Sequence, residues 1–190
     1  MVDSQPVLYY DLGSPYAYLA VERAERVLGT QPRLEPILLG AIFVLRGSGS
    51  WSQTPERAAR VADLEARAAR YGLPPFVWPA GWPVNGLRAM RAATWATELG
   101  AGPAFARAVF RTEFTSGADI SDVDVLARCA AATALDPDLM RAAIESPAVK
   151  DALRIATDAA WDAGVRGVPT LIVAGRRFYG DDQLEAAAAA

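Results

Sequence analysis

Two proline-containing motifs, near opposite ends of the chain, constrain the fold more than any other feature of the sequence. The first, Gly13-Ser14-Pro15, follows an apolar and aromatic run at 7–11 and precedes a long helical pattern. Serine is a preferred N-cap and proline a preferred first helical residue, so this motif predicts a strand that delivers Ser14 to a helix N-terminus. The second motif, Gly167-Val168-Pro169-Thr170, opens an apolar run and predicts a strand that starts at a proline.

The order of the predicted elements places both motifs in one sheet. The first helix ends at Gly29, and residues 33–39 are typical of a second strand, which completes a strand–helix–strand unit. Near the other end, strands at 170–173 and 176–179 form a hairpin, and a last helix starts near Asp181. The helical segments between these units lie near 55–71, 86–99, 103–114, 123–133, 137–144 and 148–163.

This order predicts an α/β chain with a thioredoxin-like fold that contains a large all-helical insertion. The thioredoxin-like part comprises about 1–40 and 164–190, and the insertion about 41–163. The strands that flank the insertion must pair with each other to close one sheet, so we expect the 190 residues to form a single domain.

The absence of histidine removes several kinds of catalytic site. With no imidazole there is no Ser-His or Cys-His pair and no HExxH metal site, so Ser14 is not predicted to be a hydrolase nucleophile. Cys129 is the only cysteine, which excludes an intramolecular disulfide and a CxxC pair. Its alanine-rich surroundings predict an inert, buried thiol, and no metal site is predicted.

Charge and hydropathy favour a small-molecule partner. A net charge of −3 provides no field that would attract nucleic acid or an anionic membrane. No apolar run has the roughly 18 to 20 residues that span a bilayer, and the N-terminus lacks a signal-peptide pattern. We therefore expect a cytoplasmic location.

Ser14 has two interpretations. As an N-cap, its side chain satisfies one backbone N–H of the first helical turn. The same position also favours a bound anion, because free N–H groups and the helix dipole make this helix end positive. A thiolate is such an anion, and a hydrogen bond from the serine hydroxyl lowers a thiol pKa from its ordinary value of about 8.5. A cofactor would then supply the nucleophile.

Two further motifs have the chemistry to hold a peptide-like thiol. Pro169 is explained by its position at a strand start, but a cis bond there also exposes the backbone of Val168 to an extended peptide such as the cysteinyl unit of glutathione. Asp181 or Asp182 is a predicted N-cap of the last helix. A carboxylate at that position can also bind a ligand ammonium while nearby N–H groups take the ligand carboxylate, which suits a γ-glutamyl group.

The loop at 72–85, rich in proline and tryptophan, and the helix after it form a third cluster. Aromatic rings beside a polar amide and two arginines can form a flat-sided pocket for an aromatic acid, in which an arginine binds the carboxylate. Packing of the loop onto the core, and a solvated face for the arginines, are the alternatives. The candidate substrate contacts are Trp78, Trp82, Asn85, Arg88 and Arg91.

Together these motifs resemble the 2-hydroxychromene-2-carboxylate isomerases and the kappa-class glutathione transferases, relatives of the DsbA thioredoxin-fold oxidoreductases. The resemblance covers most of the chain, with matching segments at 10–19, 63–74, 83–85, 167–170 and 178–184. It implies that Ser14 hydrogen-bonds the glutathione sulfur, that Val168, before a cis-Pro169, pairs with the cysteinyl backbone, and that Asp181 and Asp182 hold the γ-glutamyl group. In the isomerase the thiolate is thought to add to the substrate, allow rotation about the former double bond and leave.

The resemblance is weakest in the segment after the second predicted strand. These families often have a Lys and a Gly-Asn there, whereas this chain has a predicted loop at 43–50. The contact to the glycyl end of glutathione is therefore either absent or made by Ser48 or Arg46. Another low-molecular-weight thiol is an alternative cofactor. The first prediction is a glutathione-dependent isomerase of an aromatic carboxylate, in aromatic compound degradation, and the second is a transferase with the same site. A non-catalytic thioredoxin-fold binding protein is the alternative of another class, and the family makes a homodimer an expectation.

Overall fold

A four-stranded mixed sheet joins the two ends of the chain in this computed structural model, which describes residues 5–190. Strand β1 (Val7–Tyr10) pairs in parallel with β2 (Arg33–Pro36) and antiparallel with β3 (Thr170–Val173). Strand β4 (Arg176–Tyr179) completes the order β2-β1-β3-β4. The predicted thioredoxin-like pairing of early and late strands is confirmed.

Helices cover the sheet and fill the chain between β2 and β3. Helix α1 (Pro15–Leu28) follows β1, begins after Ser14 and ends at Gly29, which has the left-handed conformation with φ +69°. The other helices among residues 5–190 are α2 (Leu39–Arg46), α3 (Arg57–Arg70), α4 (Leu87–Glu98), α5 (Gly102–Ser116), α6 (Val123–Ala132), α7 (Pro137–Ala143), α8 (Pro147–Asp162) and α9 (Leu184–Ala188), with short 3-10 helices at Trp51–Gln53 and Asp181–Gln183.

The predicted second strand, 33–39, is wrong at its end. Strand β2 stops at Pro36, and α2 begins at Leu39, whose N–H donates to Asp11 Oδ2 at 2.8 Å. The predicted loop at 43–50 is therefore helical as far as Arg46 and irregular only from Gly47. An unbroken apolar run carries no periodicity that separates the end of a strand from the start of a helix.

One hydrophobic core includes residues from the sheet and from the helical segment. Phe110 of α5 lies 5.9 Å from the ring of Tyr10 in β1 and 6.1 Å from that of Tyr18 in α1. Leu171 of β3 and Met90 of α4 belong to the same buried cluster. None of the helices among residues 5–190 is both long and apolar enough to cross a membrane.

Candidate active site

A cleft runs from the N-terminus of α1 past Pro169 to the aspartates before α9. Two adjoining cavities, of about 320 Å³ and about 510 Å³, form it. The smaller reaches Ser14, and the larger reaches Pro169, Asp181 and Asp182. The residues that line both are Tyr16, Glu56, Arg60, Val168 and Tyr179. The structure thus brings five of the predicted site residues into one cleft.

Ser14 is 6% exposed and caps α1. Its Oγ accepts a hydrogen bond from the N–H of Ala17 at 3.3 Å, so the capping interpretation holds. The hydroxyl proton has no acceptor among the described residues, which leaves it free to donate into the cleft. Arg46, Arg60 and Glu56 line the same cavity; Glu56 pairs with Arg60, so within the described part of the chain Arg46 supplies the positive charge without a carboxylate partner beside the helix N-terminus.

The Val168–Pro169 peptide bond is cis, and Val168 is 5% exposed. Hydrogen bonds tie the backbone on either side of it: Thr170 Oγ1 donates to the Gly167 carbonyl at 2.7 Å, and the Gly180 N–H donates to the Pro169 carbonyl at 3.0 Å. Within residues 5–190, the N–H and the carbonyl of Val168 have no hydrogen-bond partner. The arrangement therefore offers one donor and one acceptor to an extended peptide.

The two aspartates before α9 differ in their surroundings. Asp181 is 1% exposed; its Oδ1 accepts from Arg67 Nη1 and its Oδ2 from Tyr71 Oη, each at 3.0 Å. Burial raises the pKa of its carboxyl, and Arg67 and Tyr71 act in the opposite direction. Asp182 is 49% exposed and 3.4 Å from Arg67 Nη1. Asp182 thus has the carboxylate open to a ligand, while the oxygens of Asp181 are used inside the protein.

Side chains from α3 and β4 complete the cleft, and the sequence patterns did not single them out. Arg60 and Arg67 of α3 lie near the ring of Tyr16, with the guanidinium carbon of Arg67 5.7 Å from its centre. On the sequence, both arginines also make the i,i+4 pairs of a solvated helix, Arg60 with Glu56 and Arg67 with Asp63. Nothing in that spacing distinguishes a cleft wall from an exposed helix face.

Ser48 does not line the cleft. It is exposed in the loop after α2, whereas Arg46 and Gly49 on either side of it line the cavity at Ser14. Arg46 Nη1 donates to the carbonyl of Arg166 at 2.7 Å.

The candidate substrate residues of the 72–85 loop do not converge on one pocket. Trp82 is 3% exposed and lies 5.6 Å from Trp51, which lines the cavity at Ser14. Trp78 stacks on Phe76 at 4.7 Å, as loop packing onto the core requires. Asn85 lines a further cavity of about 390 Å³, which shares Leu39 and Phe43 with the cavity at Ser14, and its Oδ1 accepts the N–H of Leu87 at 3.1 Å.

Arg88 and Arg91 face away from these cavities, toward the junction of α7 and α8. Arg88 Nε is 4.0 Å from Glu145 Oε1, and Arg91 Nη1 donates to the Ile144 carbonyl at 3.4 Å. Neither lines the cleft nor the cavity at Asn85.

Cys129 lies apart from the cleft, on α6, and is 4% exposed. Burial raises the pKa of its thiol, while a hydrogen bond to Thr112 acts in the opposite direction. The part of the chain that the structure describes contains no group of three or more His, Cys, Asp or Glu side chains that could hold a metal ion.

A thioredoxin-type sheet with a helix N-terminus and a cis-proline bordering one cleft defines the class of protein, and the comparisons agree. Residues 7–190 match the family model of the DSBA-like thioredoxin domain, and the chain belongs to that family. A 2-hydroxychromene-2-carboxylate isomerase of Sphingobium xenophagum is 30% identical over 183 residues, 93% of this chain and 92% of the relative. The resemblance predicted from the motifs is confirmed.

Solved structures share the fold. A 2-hydroxychromene-2-carboxylate isomerase superimposes with a TM-score of 0.85 at 23% identity, over 94% of this chain and 90% of that one. A cytosolic disulfide reductase, DsbM of Pseudomonas aeruginosa, gives a TM-score of 0.65 at 18% identity, over 97% and 95%. This chain lacks the pair of cysteines needed for dithiol exchange within one chain.

Proposed function

We propose that this protein is a glutathione-dependent isomerase of an aromatic carboxylate, similar to 2-hydroxychromene-2-carboxylate isomerase. The observation that carries the proposal is the cleft itself, which holds a free serine hydroxyl proton, an unpaired backbone donor and acceptor at Val168, and the open carboxylate of Asp182. Glutathione has a group for each of these: a thiol for the serine hydroxyl, an extended cysteinyl backbone for Val168, and the ammonium of its γ-glutamyl group for Asp182.

The residues of the cleft have separate tasks in this proposal. When bound, glutathione supplies the thiolate nucleophile and is regenerated at the end of each turnover. Ser14 donates its hydroxyl proton to the sulfur, and the positive N-terminus of α1 stabilises the anion. Val168 orients the ligand backbone through its N–H and carbonyl, and Asp182 binds the ammonium.

The test is a glutathione titration of the wild type and Ser14→Ala, followed by heat for binding and by thiolate absorbance against pH. A hydrogen bond to a charged group contributes about 1.5–3 kcal/mol, so we expect the pKa of the bound thiol to rise by about one to two pH units in Ser14→Ala. Affinity should change little at a pH below the pKa of the bound thiol, where both proteins bind the protonated form, and should fall in the variant at higher pH. Asp136→Ala, which removes the N-cap of α7 outside the cleft, is the matched control for lost capping. An equal thiol pKa in wild type and Ser14→Ala would contradict the proposal.

Turnover separates the isomerase from the second candidate, a glutathione transferase with the same thiol site. With 2-hydroxychromene-2-carboxylate as substrate, an isomerase forms product without loss of free thiol. A transferase consumes one thiol for each product molecule. Glutathione binding with no thiolate formation would instead indicate the non-catalytic binding protein.

A further inference from the structure

Three arginines surround a further cavity that shares a wall with the cleft. This cavity, of about 350 Å³, is bounded by Arg46, Arg166 and Arg177, together with Gly164, Thr170 and Tyr179. Arg46 and Tyr179 also line the cavity at Ser14. We call this space the arginine cavity.

The three guanidinium groups have no acidic partners. Among residues 5–190, none of Arg46, Arg166 and Arg177 forms an ion pair with a carboxylate. Arginines elsewhere do, as Arg107 with Glu25 at 2.9 Å and Arg111 with Glu22 at 2.7 Å show. Three exposed arginines without a carboxylate partner in the described residues thus border one cavity, in a chain whose net charge is −3.

Backbone carbonyls hold each guanidinium by one terminal nitrogen. Arg46 Nη1 donates to the Arg166 carbonyl at 2.7 Å, Arg166 Nη1 to the Trp161 carbonyl at 2.6 Å, and Arg177 Nη1 to the Ala163 carbonyl at 3.2 Å. The guanidinium of Arg166 also lies 3.7 Å from the Trp161 ring centre. The Nε and Nη2 donors of all three have no acceptor within the described residues. The arginines are therefore positioned, with donors left for a ligand.

We propose that Arg46, Arg166 and Arg177 form a binding site for the phosphate group of a ligand. Guanidinium groups bind phosphate through paired hydrogen bonds, and a multiply charged phosphate compensates several arginines, whereas a single carboxylate compensates one. Because the arginine cavity adjoins the cavity at Ser14, one ligand can extend from the thiol site to the phosphate site. The inference that one ligand occupies both sites rests on the proposed function, whereas the inference of a phosphate site does not.

Capping of α8 is the competing explanation, since Arg166 and Arg177 donate to carbonyls at the C-terminal end of that helix. Capping alone predicts that substitution of either arginine lowers stability and that phosphate compounds do not bind. Phosphate binding in solution is the measurement that separates the two explanations.

The first experiment is calorimetric titration of the whole protein with inorganic pyrophosphate. We expect binding by the wild type and a loss of at least about ten-fold in affinity in Arg166→Gln and in Arg177→Gln, because each removes a charged hydrogen-bonding partner. Arg176→Gln is the matched control: it removes the same charge from the neighbouring residue of β4, which does not line the cavity, and should change affinity less than about two-fold. Thermal unfolding of each variant verifies that it is folded. No binding by the wild type, or an equal loss in Arg176→Gln, would overturn the proposal.

A second experiment compares the affinities of coenzyme A and of pantetheine, which has the same thiol but no phosphate groups. The comparison shows whether the phosphate belongs to the thiol compound or to a separate ligand. Tighter binding of coenzyme A in the wild type, with the difference abolished in Arg166→Gln, supports a phosphate on the thiol itself. Equal binding of the two, while pyrophosphate still binds, supports a phosphate on a separate ligand. Ser14→Ala should bind pyrophosphate with the affinity of the wild type. The phosphate site can therefore be tested even if the proposed thiol site is shown to be wrong.

Discussion

Glu113, on α5, is a fully buried acid whose carboxylate oxygens have no hydrogen-bond partner among residues 5–190. Burial raises its pKa well above the usual range, and the nearby carboxyls of Asp11 and Asp119 raise it further. The native state therefore holds Glu113 protonated at a pH where the unfolded chain ionises it. As the pH rises above the unfolded pKa, this difference destabilises the fold until the native pKa is reached.

We expect Glu113→Gln to raise the free energy of unfolding at pH 7 to 8 and to leave it nearly unchanged near pH 4. Between the unfolded and native pKa values of Glu113, the wild type loses about 1.4 kcal/mol per pH unit relative to the variant. Urea unfolding at several pH values measures this. Glu98→Gln, at an exposed position of α4, is the control and should stay within about 0.5 kcal/mol of the wild type. A stability difference independent of pH would show that Glu113 is not protonated in the native state.

Short sequence motifs predicted some of the individual residues that line the candidate cleft. Ser14 and Pro169 were found because an N-cap serine before proline, and a proline before an apolar run, are strong signals within three or four residues. Neighbouring Asp181 and Asp182 could not be distinguished, since what separates them is contact with Arg67 and Tyr71, residues far away in the chain.

Helix α3 contacts the Asp181–Gln183 turn through Arg67, which joins an element of the helical segment to the end of the sheet. Arg67 contacts Asp63 on its own helix at 2.8 Å, and Asp181 and Asp182 across the cleft. Its side chain is 20% exposed, whereas that of Asp181 is 1% exposed. This contact therefore compensates a carboxylate that has no access to water.

We expect Arg67→Gln to lower the free energy of unfolding by about 3 kcal/mol at pH 7, because it leaves the buried charge of Asp181 without its partner. The loss should shrink as the pH falls and Asp181 protonates. Arg70→Gln, in the last turn of the same helix, is the control, with an expected effect on the free energy of unfolding within about 0.5 kcal/mol.

Asp182→Ala should leave the free energy of unfolding nearly unchanged but weaken glutathione binding. A large loss of stability in Asp182→Ala would mean that the ion pair of Arg67 with Asp182, rather than the one with Asp181, stabilises the fold.

Element boundaries were predictable where the chain marks them with special residues. Gly29 ends α1, and the turn at Ala174 and Gly175, both with positive φ, separates β3 from β4. Strand β2 ends at such a residue, Pro36, which the predicted strand at 33–39 ran past. The start of α2 has no N-cap side chain of its own, and the Asp11 carboxylate, at the end of another strand, accepts the N–H of Leu39 instead.

For the whole molecule, the shared core predicts that the sheet and the helical segment unfold together. Phe110 contacts aromatic rings of β1 and α1, so Phe110→Ala should lower the free energy of unfolding by about 3–5 kcal/mol. Hydrogen exchange should then show an equal loss of protection in β1, β3 and α5. Leu139→Ala, at a 60% exposed position, should change little. Retained protection in β1 and β3 alone would indicate two independently stable units.

The cleft is assembled from segments that are synthesised at very different times. Ser14 and α3 leave the ribosome about a hundred or more residues before Val168, Tyr179 and Asp182. A nascent chain halted after α8 would carry the serine but neither Val168, Tyr179 and Asp182 nor β3, the neighbour of β1 in the sheet. The complete cleft therefore forms only after the β3–β4 hairpin and the Asp181–Gln183 turn have been translated, which makes its assembly a late step relative to the folding of α1 and α3.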